Sequence, residues 1–192
     1  MGRIVVTEFI SLDGVVQAPG GEDFAHRNWS FAFDRGADGD RFKTDEALGA
    51  EALLLGRVTY ESFAAAWPTY EGELADKYNG MPKYVVSKTL TDPTWNGTRV
   101  LAGDVVEEVT ALKQQVAGEL QIAGSIRLVQ TLLAHDLVDE IHLMTFPVVL
   151  GTGRRLFGEA PDKTTWKLTG SWTVGEGIPI TLFERAGRER QK

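Results

Sequence analysis

Leu53-Leu54-Leu55-Gly56-Arg57-Val58-Thr59-Tyr60-Glu61-Ser62 (LLLGRVTYES) is an apolar run that stops at a glycine and resumes as a helix-compatible segment. It reads as a strand feeding a helix. Such a junction presents unpaired backbone N–H groups and the positive end of a helix dipole, and here it adds a guanidinium at Arg57 and a hydroxyl at Thr59. These are the ingredients of a phosphate seat. The same residues also fit a plainer reading, with Gly56 as a turn glycine and Arg57 as a solvated first-turn residue.

A second junction of the same kind lies at Ala123-Gly124-Ser125-Ile126-Arg127. In an open α/β sheet, ligands bind beyond the carboxyl ends of strands, where helix N-termini converge, so a diphosphate lying between the two junctions would meet two helix dipoles, two hydroxyls and two guanidinium groups. Together they favour a dinucleotide, although Ser125 alone is a plain N-cap candidate. Ser87-Lys88-Thr89 follows a further short strand and offers a hydroxyl and an ammonium where an adenosine phosphate would lie. The Gly-x-Gly-x-x-Gly fingerprint and the P-loop are both missing, which argues against the usual Rossmann and nucleotide-hydrolysing folds.

Outward from these junctions, the pattern alternates strands and helices. Arg3–Ile10, Ala52–Leu55, Lys83–Ser87, Thr98–Leu101, Leu120–Ala123 and Val138–Pro147 read as strands. Helices are expected over Asp40–Gly49, Arg57–Ala65, Asp104–Ala117 and Ile126–Ala134, with Asp104 as an N-cap and Gly118 as a stop. Between Trp67-Pro68 and Met81 the chain reads as a polar connector. Thr165–Val174 and Ile178–Arg185 form an antiparallel hairpin through Gly175-Glu176-Gly177. The expected whole is an α/β domain over residues 1–186 with a mostly parallel sheet, an antiparallel edge and a short polar tail at 187–192.

The 192 residues carry a net charge of -7 and scattered basic residues, so nucleic acid is not an expected partner. The global charge still allows phosphorylated small molecules, whose seats need only one or two cations. No cysteine is present, which removes disulfides, thiolate nucleophiles and sulfur-ligated metals, and leaves redox chemistry to a borrowed cofactor. No apolar run approaches the roughly 18 residues of a membrane helix, and Glu8 interrupts the N-terminus too early for a signal peptide, so the expected location is the cytoplasm with no membrane partner. His26, His135 and His142 show no metal-ligand spacing, and no metal is expected.

SLDG at Ser11–Gly14, LLLGRVTYESF at Leu53–Phe63, KYVVSKTL at Lys83–Leu90, LQIAGSIRLVQTLL at Leu120–Leu133 and IHLMTFPVVLGTGRRLF at Ile141–Phe157 resemble, in order and spacing, the dihydrofolate-reductase-like family. The resemblance lies in the branch shared with the reductase domain of the bifunctional deaminase-reductase of riboflavin biosynthesis, and it covers nearly the whole chain. It implies a dihydrofolate-reductase-like α/β fold, with a central mixed sheet of about eight strands. It also implies NADPH as cofactor, and hydride transfer to a small nitrogen heterocycle of pteridine or aminopyrimidine type. By position, Gly56, Arg57, Val58 and Thr59 would contact the cofactor phosphates, with Arg57, Ser87 and Lys88 around the 2'-phosphate. Gly124, Ser125, Ile126 and Arg127 match the diphosphate turn, with one glycine where folate reductases carry two. Val16 and Gln17 fall in the loop that covers the nicotinamide in relatives, and Asp13 belongs to the motif shared with the riboflavin reductases.

Folate reductases place a carboxylate on the helix before the Gly-Arg strand, and counting back reaches Asp40, with Asp38 and Asp45 nearby. Any of the three also fits a cap or a solvated carboxylate, and a reductase can take its proton from water. Trp29, Phe31, Phe33, Trp67 and Tyr70 flank the expected cleft, with Trp29 and Trp67 the candidates to stack on a flat ring; ordinary core packing is the alternative. The sequence opens directly on the expected first reductase strand, so a riboflavin-pathway role is expected to need a separate deaminase as partner enzyme. The runner-up function is a regulatory nucleotide-binding protein on the same fold. Relatives in the riboflavin branch tend to be dimers, and a homodimer is expected through Val138–Val149 and the terminal hairpin.

Overall fold

The computed structural model describes residues 1–158 and 163–187. Eight strands form one sheet: β1 (Arg3–Ser11), β2 (Ala50–Gly56), β3 (Lys83–Val86), β4 (Thr98–Leu101), β5 (Glu119–Ala123), β6 (Glu140–Phe146), β7 (Thr165–Val174) and β8 (Ile178–Gly187). Their order is β4-β3-β2-β5-β1-β6-β8-β7. The first six run parallel, and the hairpin β7–β8 adds on antiparallel beside β6. This is the mixed sheet that the sequence predicts.

Helices cover both faces, which explains why the central strands are apolar without a break. In β2, Leu54 packs into the core that holds Ile4, Val6, Ile122, Val129 and Leu132, while Leu53 and Leu55 point the other way, toward Tyr60, Tyr78 and Val85. Alternate side chains therefore reach opposite buried faces. The helices are α1 (Gly36–Gly49), α2 (Arg57–Ala66), α3 (Glu73–Gly80), α4 (Val105–Gln115) and α5 (Ile126–Ala134). α4 starts as expected, with the Asp104 carboxylate accepting from the backbone N–H groups of Val106 and Glu107 at 2.9 and 3.1 Å.

Three expectations need correction. The connector before Met81 contains α3, whose apolar contribution is limited to Leu74, Ala75 and Tyr78, too few for a visible periodicity. α1 begins four residues earlier than Asp40, with Gly39 inside it; a Cβ there would lie 2.7 Å from Arg35 and 3.2 Å from Val174, so the glycine permits close approach to the hairpin rather than breaking the helix. Finally, β6 is paired on both sides, by β1 and β8, so the Val138–Val149 segment has no free strand edge to offer a second copy. The free edge on that side is β7, where Leu168 and Trp172 are exposed. β8 runs through the expected domain end at residue 186, and the expected tail beyond Gly187 lies outside the described residues.

Candidate active site

A cleft of about 780 Å³ opens over the carboxyl ends of β1, β2, β3 and β5. The junction ends of β2 and β5 both border it, and two hydrogen bonds fasten them to each other. The Gly56 N–H donates to Ser125 Oγ at 2.7 Å, and the Ser125 N–H donates to Thr59 Oγ1 at 2.9 Å. Ser125 sits in the left-handed region with φ 64° and makes no capping bond to its own helix, because its hydroxyl is used across the cleft floor. The plain N-cap reading of Ser125 is therefore not what the structure shows. α2 also begins without a side-chain cap. Two helix N-termini thus face the same cleft with no side-chain cap among the described residues, whereas α4, whose first residue Val105 also borders the cleft, is capped by Asp104.

Gly124 has φ +75°, and a Cβ on it would lie 3.1 Å from Thr59 Cγ2 and 3.2 Å from Thr59 Oγ1. The turn can be this tight only without a side chain. Gly124→Ala is expected to lower stability by about 1 to 3 kcal/mol, from left-handed strain and from pushing the two junctions apart, as read by urea denaturation.

Charge follows the same plan. Although the chain is acidic overall, Arg35, Lys43, Arg57, Arg127 and Arg154 border the cleft, against Glu8, Glu22 and Asp40. Arg57 is half exposed and, among the described residues, its ion pair is with Glu61 of its own helix, at 2.9 Å, a solvent-facing contact of the kind that costs little to displace. Away from the phosphate-like seat the walls become aromatic. Phe63, Trp67, Tyr70, Leu74 and Tyr78 line one side, and Phe31, 72% exposed, lines the cleft from the segment after β1. The Trp67 ring is held edge-on against Tyr78 with centroids 4.5 Å apart, so it is a rigid wall.

Of the residues expected from the sequence, Gly56, Arg57, Val58, Thr59, Gly124, Ser125, Ile126, Arg127, Val16 and Trp67 all border this cleft. Phe31, Tyr70 and Asp40 border it as well, whereas Trp29, Gln17, Ser87, Lys88 and Asp13 do not. Trp29 is buried with Met144 and Phe146 and donates its Nε1–H to the Gln17 carbonyl at 2.9 Å, so it is core. Gln17 accepts from the Arg154 N–H through its side chain and only braces the cleft wall. Ser87 Oγ accepts from the N–H groups of Thr89 and Leu90, closing the turn after β3, and the exposed Lys88 does not border the cleft. Asp13 is a clamp for the loop after β6: its carboxylate accepts from Ser11 Oγ at 2.7 Å and from the N–H groups of Leu150 and Gly151 at 3.1 and 2.9 Å. Those bonds hold its carboxyl down at about 2, and it does not border the cleft. Asp40 reaches the rim, but it is largely exposed and tied to Arg35 at 2.7 Å.

The buried acid on the cleft wall is instead Glu8. The register of β1 with β5 pairs Thr7 with Ala123, which brings Glu8 level with the Gly124 turn. Glu8 is 3% exposed, and burial pushes its carboxyl up to about 8, against the opposing pull of the Lys43 ammonium and the Gly124 N–H. Its sequence signal was a lone carboxylate inside the apolar strand Arg3–Ser11. Behind it lies a buried charged chain that residue spacing alone does not reveal. Lys43 Nζ donates to Thr7 Oγ1 and to Glu46 Oε2, both at 2.6 Å; His142 Nδ1 lies 2.6 Å from Glu46 Oε1, and its Nε2 lies 3.2 Å from Glu140 Oε2.

The RibD C-terminal domain family matches residues 3–180. The chain belongs to this family. Among solved structures, this RibD C-terminal domain is similar to a putative riboflavin biosynthesis protein from Shewanella sp. PV-4, with a TM-score of 0.75, 25% identity and coverage of 96% of this chain and 99% of that one. Dihydrofolate reductase from Enterococcus faecalis, complexed with NADP(H) and RAB-propyl, superposes with a TM-score of 0.64 at 17% identity, covering 96% of this chain and 97% of the reductase, and shows the shared fold. Two uncharacterized Bacillus subtilis (strain 168) proteins are each 27% identical: YyaP over 190 residues, 96% of either chain, and YwjB over 173 residues, 89% of this chain and 91% of its own.

The residues present in this RibD C-terminal domain fit a dinucleotide. The tight Gly124 turn, the two uncapped helix ends and the guanidinium groups of Arg57 and Arg127 form a cradle for a diphosphate. The side chains at Ser87 and Lys88 do not border this cleft.

Proposed function

We propose that the protein is an NADPH-dependent reductase of a small, flat nitrogen heterocycle of the pteridine or aminopyrimidine type. The observation that carries this reading is the pair of uncapped, mutually fastened helix N-termini at one end of a cleft whose other end is aromatic. The riboflavin-biosynthesis description of the Shewanella relative and the NADP(H) bound to the fold-related Enterococcus reductase support it. In this reading, the helix ends with Arg57 and Arg127 take the diphosphate, Val16 closes over the nicotinamide, and Trp67 with the exposed rings of Phe31 and Tyr70 packs the substrate ring. The bound cofactor supplies the hydride, and the protein supplies position and charge.

The test is a titration with NADPH and, in parallel, NADH, followed by tryptophan fluorescence and then by nucleotide consumption over a panel of heterocyclic acceptors. One charge-assisted bond from Arg57 to the 2'-phosphate is worth about 1.5 to 3 kcal/mol, so NADPH is expected to bind at least about tenfold more tightly, and Arg57→Ala to erase the difference. Tight binding with no turnover across the panel would favour a regulatory nucleotide-binding protein instead. No saturable binding of either nucleotide would sink both.

A further inference from the structure

Glu8 is the cleft group that neither the fold nor the dinucleotide seat explains. A strand-centre position between Thr7 and Phe9 would pack well with valine or isoleucine, and burying a carboxyl group there costs stability. Among the described residues its Oε1 has no hydrogen-bond partner, so the group is not a structural clamp of the kind Asp13 forms. The charged and polar groups acting on it come from three elements: the Lys43 ammonium from α1, the Gly124 N–H from the β5–α5 turn, and Glu22 from the segment after β1. Lys43 is not its direct partner, because that ammonium is bonded to Thr7 and Glu46. Glu8 therefore feels the positive field of Lys43 and the Gly124 N–H, while its Oε1 is left without a partner among the described residues. Asp40, at the rim of the same cleft, is tied to Arg35.

We propose that Glu8 is the proton donor to the substrate, an orphaned carboxyl group on the cleft wall beside the diphosphate turn. This rests on the reductase reading above. In the step, a hydride from a reduced nicotinamide adds to the carbon of a ring C=N bond, forming C–H. The π electron pair moves to nitrogen, which takes the Glu8 proton and forms N–H. Glu8 is left as a carboxylate, which the Lys43 field and the Gly124 N–H stabilise, until water at the cleft mouth returns a proton. The raised pKa of about 8 keeps the donor protonated at neutral pH.

The deciding variant is Glu8→Gln, assayed with NADPH and any acceptor that the wild-type protein reduces. The expected result is a fall in kcat of about 100-fold or more at neutral pH. NADPH affinity should stay within about twofold, and the decline of wild-type kcat above about pH 8 should disappear. Difference infrared spectra of the nucleotide-free protein should show a protonated carboxyl band that titrates near pH 8 in the wild type and is missing in the variant. Unchanged kcat with an unchanged alkaline limb overturns the proposal, and so does a wild-type spectrum with no such band at neutral pH. That spectrum also decides if Glu8→Gln does not fold. A wild-type protein that reduces nothing brings down the reductase reading and this role with it, whereas turnover that Glu8→Gln leaves intact brings down Glu8 alone.

Discussion

The Glu8→Gln variant is expected to unfold at a higher temperature than the wild-type protein near pH 8, and the two should converge as the pH falls toward about 4.5. The reason is linkage. In the unfolded chain Glu8 loses its proton around 4.5, while in the fold burial holds the proton on up to about 8. Between those values the folded state binds more protons than the unfolded one, so wild-type stability falls as pH rises. A gap of 8 − 4.5 = 3.5 units sets a ceiling of about 5 kcal/mol on the cost. Glutamine cannot ionise, but its amide brings donors that the site does not satisfy, which takes back about 1 to 3 kcal/mol. A net gain of about 2 kcal/mol, or several degrees in Tm for a chain of this size, is the expected outcome at pH 8. Thermal denaturation of both proteins across pH 5 to 8 checks it. A variant that gains stability while losing turnover carries the mark of a group kept for chemistry at the expense of the fold. Equal stability of the two proteins at pH 8 would mean that the carboxyl is not desolvated as its burial indicates.

The sequence carried the architecture well because the signals for it are local. Leu53–Ser62 contains its own strand, its own stop and its own helix start, and the structure keeps all three. The meeting of Gly56, Arg57, Gly124 and Ser125 at one cleft was legible for the same reason: they sit where strand ends must put them. What spacing could not give was the partner of each side chain. Ser125 reads as a cap from its own helix and proves to be a fastener only once Gly56 is beside it. Ser87 and Asp13 have polar atoms that look available in the sequence but satisfy turn and loop amides in the fold. Trp29 reads as a stacking ring until Phe146 is found against it. Analogy with folate reductases points to α1 and Asp40, whereas the buried carboxyl lies on β1. Its signal, one glutamate in an otherwise apolar strand, needed the register with β5 before it pointed at the cleft.

Glu46→Ala is expected to be the most damaging single change in the charged chain behind the cleft, with a loss of about 3 to 5 kcal/mol in urea denaturation. Its carboxylate bridges Lys43 and His142 with side-chain exposures of only 5, 13 and 11% for Glu46, Lys43 and His142, so removing it takes from a buried ammonium beside Thr7 its directly bonded counter-charge. The exposed pair Arg57–Glu61, with both side chains nearly half exposed, should by contrast lose less than about 1 kcal/mol on truncation. Glu46→Gln keeps the shape and removes the charge, and should fall between the two. The acid limb separates charge from packing. Burial alone would raise the Glu46 pKa, but Lys43 and His142 outweigh it and hold the group below its ordinary value of 4.5. Its contribution is therefore complete above about 4.5 and is lost as the pH drops through the lower folded value, a loss that Glu46→Gln should not show. Glu8 and Glu46 thus tilt the stability curve in opposite directions, the first favouring the fold as pH falls toward about 4.5, and the second withdrawing support below it. The two groups share Lys43. An ammonium released from Glu46 is free to neutralise Glu8, so Glu46→Gln should also move the alkaline limb of turnover to lower pH; an unmoved limb would mean that Glu46 serves the fold alone.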